Sequence, residues 1–394
     1  METDATRQLF DAAGAAALAC RTPDNVIYGV HTGVMARRSS ISSLTSSLTS
    51  SFTRAYQRNL RALTKAALKA GTKATIKTGK RAVSEVQRAA VKQLKPPPGK
   101  GDWLAGMALG PGGARRYHLF RPSDLDLAPG EKLPLMVMLH GCGQTGRDFA
   151  AITRMNALAT RHRFLVLYPE QDRLHHPQGC WNWYETRSGK SAAEAATLMA
   201  AVDQVCVLYA ADRARVAVAG LSAGAGMAAL LATHYPARFK AVVMHSGVAP
   251  GAAKSSATAL AAMRGRHVPP MPVTAVGKAM GAAAAMTTLP PLLVLHGDRD
   301  VVVSPSNAGS AAAVWAAATG AVPAASRRLQ RGRRHPMRVT DFKLRGKTSV
   351  TLCEIAGLGH AWSGGAARLA FSDPAGPDAT RMAWAFAARQ FARA

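Results

Sequence analysis

Continuous apolar runs recur along the second part of the chain and alternate with longer alanine-rich or amphipathic segments. A run without polar alternation is typical of a strand that is buried on both faces of a sheet. The alternation therefore predicts a mostly parallel, doubly wound α/β sheet. The predicted strands are 116–120 at an edge, 133–139, 164–168, 216–219, 241–244, 291–295 and 349–353, and the predicted helices are 151–162, 191–209, 227–234, 305–319 and 378–393.

The N-terminal residues follow a different pattern. Residues 36–50 are rich in Ser and Thr, which predicts a disordered tail over residues 1–50. From residue 51 onward, basic residues recur every three or four positions beside a second stripe of apolar residues, as in one or two amphipathic helices. Pro96–Gly99 ends this segment as a stiff linker. The predicted domains are thus a tail (1–50), a basic amphipathic arm with its linker (51–100) and a catalytic domain (101–394).

The charge of the chain changes the interpretation of the arm. The formal net charge is +28, and residues 36–100 hold 15 Lys and Arg against one acid, Glu85. Like charges four residues apart repel on a helix, so such a helix forms better on an anionic partner than alone. We therefore expect residues 51–95 to dock on nucleic acid, anionic lipid or a granule surface. The alternative is a solvated, partly disordered segment.

Five cysteines in 394 residues are too few for a disulfide-rich scaffold, and no Cys or His spacing suits zinc. No apolar run reaches the roughly 18 residues that a transmembrane helix needs. The N-terminus lacks the pattern of a secretory signal, so we expect a cytoplasmic protein, with an extracellular one as the alternative.

The segment Gly220-Leu-Ser222-Ala-Gly224 follows a predicted strand and precedes a predicted helix. A G-x-S-x-G pattern in this context predicts a nucleophile elbow, a sharp turn that holds the serine in a strained backbone conformation. A Cβ at Gly220 or Gly224 would collide with the neighbouring strand or helix. The alternative is a glycine-rich turn with an idle serine.

A serine nucleophile needs a base and an acid that orients the base, in the chain order serine, acid, histidine. Asp300 and His360 follow the next two strands after the elbow and are the predicted acid and base. Asp298 is the alternative acid. If it is not the acid, we expect it to cap the turn. His140, His245 and His296 also end strands and are expected to be hydrogen-bonded structural histidines beside the site.

Two backbone N–H groups are predicted to stabilise an oxyanion. One belongs to Ala223, directly after the nucleophile. The other belongs to Cys142, in the glycine-rich segment 140–144 that follows an earlier strand. Cys142 and Cys180 both flank the site, and we hypothesise a disulfide between them.

Five motifs in the same order resemble the poly(3-hydroxybutyrate) depolymerase family of esterases. They are His140-Gly-Cys-Gly-Gln, Cys180-Trp-Asn-Trp-Tyr, Gly220-Leu-Ser-Ala-Gly, His296-Gly-Asp-Arg-Asp-Val and Gly359-His-Ala-Trp-Ser-Gly-Gly. The resemblance covers about residues 115–394. It implies an α/β-hydrolase with Ser222, Asp300 and His360 as its triad, and it implies neither a cofactor nor a metal. It is strongest to intracellular, granule-associated members, so the expected partner of residues 51–95 is a polyhydroxyalkanoate granule surface or another polyanion.

The expected substrate is poly(3-hydroxybutyrate) or a short hydroxyalkanoate oligomer. Three aromatic residues near the site are predicted to contact it: Trp181, Trp183 and Trp362. Packing in the core is the other role that these residues could have. The alternatives to this function are an acetylxylan- or feruloyl-type carboxylesterase and a tether that acts through the basic arm.

Overall fold

The structure, a computed structural model, describes residues 97–266 and 289–393. The predicted tail and nearly all of the basic arm lie outside these residues. The strands are β1 (Gly101–Gly110), β2 (Gly113–Pro122), β3 (Leu133–Leu139), β4 (Leu165–Pro169), β5 (Ala211–Leu221), β6 (Ala241–His245), β7 (Leu292–Gly297), β8 (Val322–Pro323), β9 (Arg327–Leu329), β10 (Met337–Leu344), β11 (Lys347–Ile355), β12 (Trp362–Ser363) and β13 (Ser372–Asp373). The helices are α1 (Gly146–Thr153), α2 (Met155–His162), α3 (Lys190–Leu208), α4 (Ala223–His234), α5 (Ser256–Met263), α6 (Ser306–Thr319) and α7 (Ala379–Phe391), with a 3₁₀ turn at Pro236–Arg238.

The first eleven strands form one sheet, in the order β1-β2-β4-β3-β5-β6-β7-β11-β10-β8, with β9 paired to β10. The six central strands, β4 to β11 in this order, are parallel. The flanking strands β1, β2, β8, β9 and β10 pair antiparallel. The predicted mostly parallel α/β sheet is confirmed.

The central strands are apolar throughout because helices cover both faces of the sheet. Every residue of β4, β6 and β7 is buried. Two clusters of buried apolar side chains lie on opposite faces, one beneath α3 and α4 and the other beneath α1, α2 and α7. The carboxyl ends of the parallel strands therefore meet at one edge of a rigid sheet.

Helix α3 is, by length and composition alone, able to cross a membrane, the one such helix among the described residues. It packs on β1, β2 and β5, and its buried residues include Leu198, Val202 and Val205. Its apolar composition thus fits a helix of the core.

Two of the predicted elements are arranged differently in the structure. The segment 151–162 was expected to be one helix, but Arg154 has a left-handed φ of 54° and separates α1 from α2. The segment 116–120 was expected to be an edge strand, but β1 covers it on the outside and forms the edge itself.

Candidate active site

Ser222 occupies the sharp turn between β5 and α4. Its φ of 56° and ψ of −118° are rarely adopted by a residue other than glycine. A Cβ at Gly220 would overlap the Gly224 carbonyl, and one at Gly224 would overlap the Leu139 carbonyl. The structure confirms the predicted elbow and the reason for its two glycines.

The candidate base and acid are joined by a hydrogen bond. Nδ1 of His360 lies 2.7 Å from Oδ2 of Asp300. Because an ionised carboxylate only accepts hydrogen bonds, Nδ1 carries the proton and Nε2 is left to accept one. The Asp298 carboxylate instead accepts a hydrogen bond from the Gly357 N–H, at 2.7 Å. Of the two predicted acids, the structure places Asp300 beside His360, and Asp298 caps the turn.

Several donors keep Asp300 ionised. Burial by itself would raise the pKa of this carboxyl group, but hydrogen bonds from His296 and His360 outweigh that effect and hold the pKa well below its usual range. The Val302 and Val303 N–H groups donate to Oδ1 at 2.9 and 2.8 Å. A carboxylate with this many donors is fixed in position as well as charged.

His245, at the end of β6, connects these loops. Its carbonyl accepts a hydrogen bond from the Ser222 N–H at 2.9 Å. Its Nε2 accepts one from the Ser363 N–H at 3.1 Å, three residues after His360. The elbow and the loop that carries the base are thus attached to the same residue.

Burial lowers the pKa of His245 to about 3, aided by the neighbouring His296 and His360, so the imidazole is neutral and acts as an acceptor. His140 is also fully buried, and its Nε2 accepts a hydrogen bond from the Gln171 N–H at 3.1 Å. Nε2 of His296 donates a hydrogen bond to the Val303 carbonyl at 3.0 Å, and it lies 3.3 Å from Oδ2 of Asp300. The prediction that His140, His245 and His296 are hydrogen-bonded structural histidines is confirmed.

The segments that carry the two predicted oxyanion donors adjoin Ser222. Ala223 is the first residue of α4, and a Cβ built on Gly141 would lie 3.6 Å from the Ser222 Cβ, so the segment before Cys142 borders the elbow. Among the described residues, no acceptor is hydrogen bonded to the backbone N–H of Cys142 or Ala223. Both groups are therefore available to a ligand.

A disulfide joins Cys142 to Cys180, as hypothesised. The Gly143 N–H donates to the Gln178 carbonyl at 2.9 Å, and the Gly141 N–H donates to Gln144 Oε1 at 2.7 Å. Together these bonds fix the backbone on both sides of Cys142.

The structure corrects two of the three predicted substrate contacts. Trp181 and Trp362 are fully buried, and their indole N–H groups donate to the His140 carbonyl and to Thr380 Oγ1. Side chains that the core encloses offer no face to a substrate, so both tryptophans pack and position the site. Trp183 is half-buried and borders a small surface cavity next to Gly226.

A buried polar network behind the site was not predicted. The guanidinium of Arg115 is fully buried and lies 3.0 Å from a carboxylate oxygen of Glu194 in α3. Glu194 also accepts hydrogen bonds from the Asn182 N–H at 2.7 Å and from Gln171 Nε2 at 2.6 Å. Gln171 in turn donates to the Cys180 carbonyl at 2.9 Å, so the network anchors one end of the disulfide. Isolated charged residues in a sequence give no sign of such a contact, since it joins segments that are distant along the chain.

Phe371 was also missed. Its ring stands edge-on to the His360 imidazole, 6.3 Å between centroids, and the side chain is 46% exposed. Its φ of 58° is unusual for a bulky residue. The pairing of β12 with β13 brings it there, and no local pattern in the sequence predicts that pairing.

Comparisons with known proteins point to one family. The family model described as Esterase PHB depolymerase matches residues 115–336, more than half of the chain, and includes Ser222 and Asp300. Poly(3-hydroxyalkanoate) depolymerase C of Paucimonas lemoignei is 32% identical over 176 residues, which are 44% of this chain and 42% of that protein. Acetylxylan esterase A of Aspergillus oryzae is 26% identical over 212 residues, which are 52% of this chain and 67% of that protein.

Feruloyl esterase B of Neurospora crassa is 31% identical over 136 residues, which are 34% of this chain and 44% of that protein. The chain therefore spans less than half the length of the depolymerase and of this feruloyl esterase. Among solved structures, the acetyl xylan esterase from Aspergillus awamori superposes with a TM-score of 0.56 at 21% identity and covers 66% of this chain and 94% of its own. That likeness establishes the α/β-hydrolase fold.

Proposed function

This chain belongs to the Esterase PHB depolymerase family, and on that premise we propose that it hydrolyses carboxylic esters with Ser222 as the nucleophile. The observation that carries the proposal is the hydrogen bond between His360 and Asp300, at the sheet edge where Ser222 stands on its strained turn. A nucleophile, a base and an orienting carboxylate from three loops are the groups that nucleophilic catalysis requires.

The first half of the reaction forms an acyl-enzyme. Ser222 Oγ attacks the ester carbonyl carbon while His360 Nε2 takes its proton. The negative charge that develops on the carbonyl oxygen is stabilised by the N–H groups of Ala223 and Cys142. Asp300 stabilises the imidazolium, which then gives its proton to the alcohol oxygen as the bond between that oxygen and the carbonyl carbon breaks.

The second half regenerates the enzyme. A water molecule loses a proton to His360 and attacks the acyl carbon, again with the oxyanion held by the two N–H groups. The bond to Ser222 Oγ breaks, the serine recovers its proton and the carboxylic acid departs. In each step His360 is the group of the chain that takes or gives the proton.

The substrate that we propose is poly(3-hydroxybutyrate) or a short hydroxyalkanoate oligomer. The family description and the Paucimonas lemoignei relative support a polyester. Exposed apolar side chains next to the candidate triad support an aliphatic acyl or alcohol group: Val301, which directly follows Asp300, is 95% exposed, and Phe371 is 46% exposed.

An acetylated or feruloylated xylan is the second candidate substrate. It is favoured by the acetylxylan esterase of Aspergillus oryzae, which the match covers over 67% of its length, against 42% for the depolymerase. Both candidates use the same chemistry and differ in what binds beside the triad.

The test is a substrate panel on the purified full chain. We expect release of soluble acid from amorphous poly(3-hydroxybutyrate) and hydrolysis of p-nitrophenyl butyrate, both abolished in Ser222→Ala and retained in Ser188→Ala, a change at an exposed serine. Wild-type turnover by folded Ser222→Ala would refute the nucleophile. Release from acetylated or feruloylated xylan alone would replace the polyester with the second candidate.

A further inference from the structure

A cavity of about 570 Å³ lies between helix α7 and the hairpin of β9 and β10. This volume is within the range of small-molecule sites. Among its apolar lining residues, Leu329 is 37% exposed and Met382 of α7 is half-buried, so both present an apolar surface. The lining includes none of Ser222, Asp300 and His360, so the cavity is separate from the candidate active site.

The walls of this cavity are basic. Six arginines line it, together with His335 and a single acidic residue, Asp378. Two of the arginines, Arg381 and Arg389, stand on one exposed stripe of α7, eight residues apart. The six arginines are Arg154, Arg327, Arg331, Arg334, Arg381 and Arg389.

Carboxylates compensate only part of this charge. Arg327 pairs with Asp341 at 2.6 Å, and Arg381 lies 3.5 Å from Asp378. Within residues 97–266 and 289–393, the other four arginines form no ion pair with a carboxylate. The cavity thus concentrates uncompensated positive charge.

Part of this charge is also held in place. One guanidinium nitrogen of Arg154 donates to the Gly364 carbonyl at 2.7 Å, and one of Arg334 donates to the Gly376 carbonyl at 2.6 Å. A guanidinium has five N–H donors, so each keeps donors for a ligand. The guanidinium of Arg389 lies 5.8 Å from the centre of the Phe386 ring.

We propose that this cavity binds an amphiphilic anion, namely a phosphate or carboxylate group on an aliphatic body. Arginine side chains bind such acidic groups through paired N–H donors. Leu329 and Met382 offer an apolar surface to the aliphatic part, which an inorganic anion lacks. The site makes use of the basic segment 327–338, which the proposed esterase reaction does not involve.

The experiment is calorimetric titration of the full chain with decyl phosphate below its micelle concentration, at constant ionic strength. The test variant is Arg331→Gln/Arg389→Gln. The matched control is Arg328→Gln/Arg338→Gln, which removes the same charge from residues paired across the same hairpin. These two side chains border a separate cavity. Inorganic phosphate and decanol are titrated as probes that carry only one part of the ligand.

We expect decyl phosphate to bind to the wild type and the control alike, and roughly tenfold or more weakly to the test variant, as expected for lost charge-assisted hydrogen bonds. Equal affinity of the wild type and the test variant would overturn the proposal, as would an equal loss in the control. Binding of inorganic phosphate or decanol as tight as that of decyl phosphate would overturn the amphiphilic character of the ligand. Turnover of p-nitrophenyl butyrate is measured in parallel and is expected to be the same in all three proteins, so the outcome does not depend on the esterase proposal.

Discussion

At the residue scale, the carboxylate of Asp300 is held from two sides. Its Oδ1 accepts the N–H groups of Val302 and Val303, and its Oδ2 faces His360 and His296. The carboxylate therefore has one orientation before any substrate arrives. Asp298, two residues earlier, has a different partner and offers an internal comparison.

We predict that Asp300→Asn lowers kcat/KM for p-nitrophenyl butyrate by about 10³- to 10⁴-fold, since an amide no longer selects the imidazole tautomer that leaves Nε2 unprotonated. The matched variant Asp298→Asn should change kcat/KM by much less, because the Asp298 carboxylate accepts a hydrogen bond from a backbone N–H of the turn and does not contact His360. Steady-state kinetics of both variants, with circular dichroism to verify folding, make the comparison. Equal losses in the two variants would remove Asp300 from its proposed role.

The glycines of the elbow give a second prediction at this scale. Gly224→Ala should destabilise the protein by at least about 1–3 kcal/mol, because the added Cβ overlaps the backbone of β3. Gly309→Ala, inside α6 where an added Cβ contacts nothing, should instead stabilise it by about 1 kcal/mol. Urea unfolding measures whether the free energy of unfolding falls in Gly224→Ala and rises in Gly309→Ala. A neutral Gly224→Ala would mean that the elbow is looser than described.

At the element scale, the buried pair of Arg115 and Glu194 joins β2 to α3 and supports the segment that carries Cys180. Truncating one partner of a buried pair leaves an uncompensated charge, so Glu194→Ala should cost about 3–5 kcal/mol of the free energy of unfolding. The exposed pair of Arg338 and Glu354 is the control, and Glu354→Ala should cost less than about 1 kcal/mol. Denaturant unfolding measures both. A similar loss of unfolding free energy in the two variants would show that the buried network stabilises the protein no more than the exposed pair does.

The elements also show what sequence alone can predict. The ends of the central parallel strands were located to within five residues because strands buried on both faces are continuous apolar runs. The antiparallel strands β1, β8, β9 and β10 were missed. Glycines interrupt β1, β8 and β9 are only two and three residues long, and polar residues interrupt the apolar ones in β10. The triad candidates could be found because each follows a central strand. The burial of Trp181 and Trp362 could not be predicted from the sequence, since it depends on which neighbouring segments cover these loops.

At the scale of the whole molecule, histidines with lowered pKa values link folding to pH. Burial, assisted by Arg116 and Arg147, lowers the pKa of His118 to about 4, and that of His245 is about 3. Both stay neutral in the folded state while the unfolded chain takes up protons below the ordinary histidine pKa of about 6.5. Acidification therefore favours unfolding in the interval between these values.

We predict that the free energy of unfolding falls as the pH is lowered from about 6.5 to about 4, by up to about 1.4 kcal/mol per pH unit for each such histidine. His118→Gln should reduce this slope, because the unfolded chain then takes up one proton fewer relative to the folded protein. Urea unfolding at several pH values measures the slope for both proteins. An identical slope in His118→Gln would show that His118 does not contribute.

The bridge between Cys142 and Cys180 makes the backbone at one proposed oxyanion donor depend on the oxidation of two thiols. Disulfides persist in oxidising compartments and are rare where thiols are kept reduced. A chain synthesised among reductants would carry free thiols at both positions, and hydrogen bonds alone would then hold the donor at Cys142. The bridge thus couples the position of this proposed donor to the oxidation of two thiols, and protein made without an oxidant should gain ester turnover once glutathione disulfide is supplied.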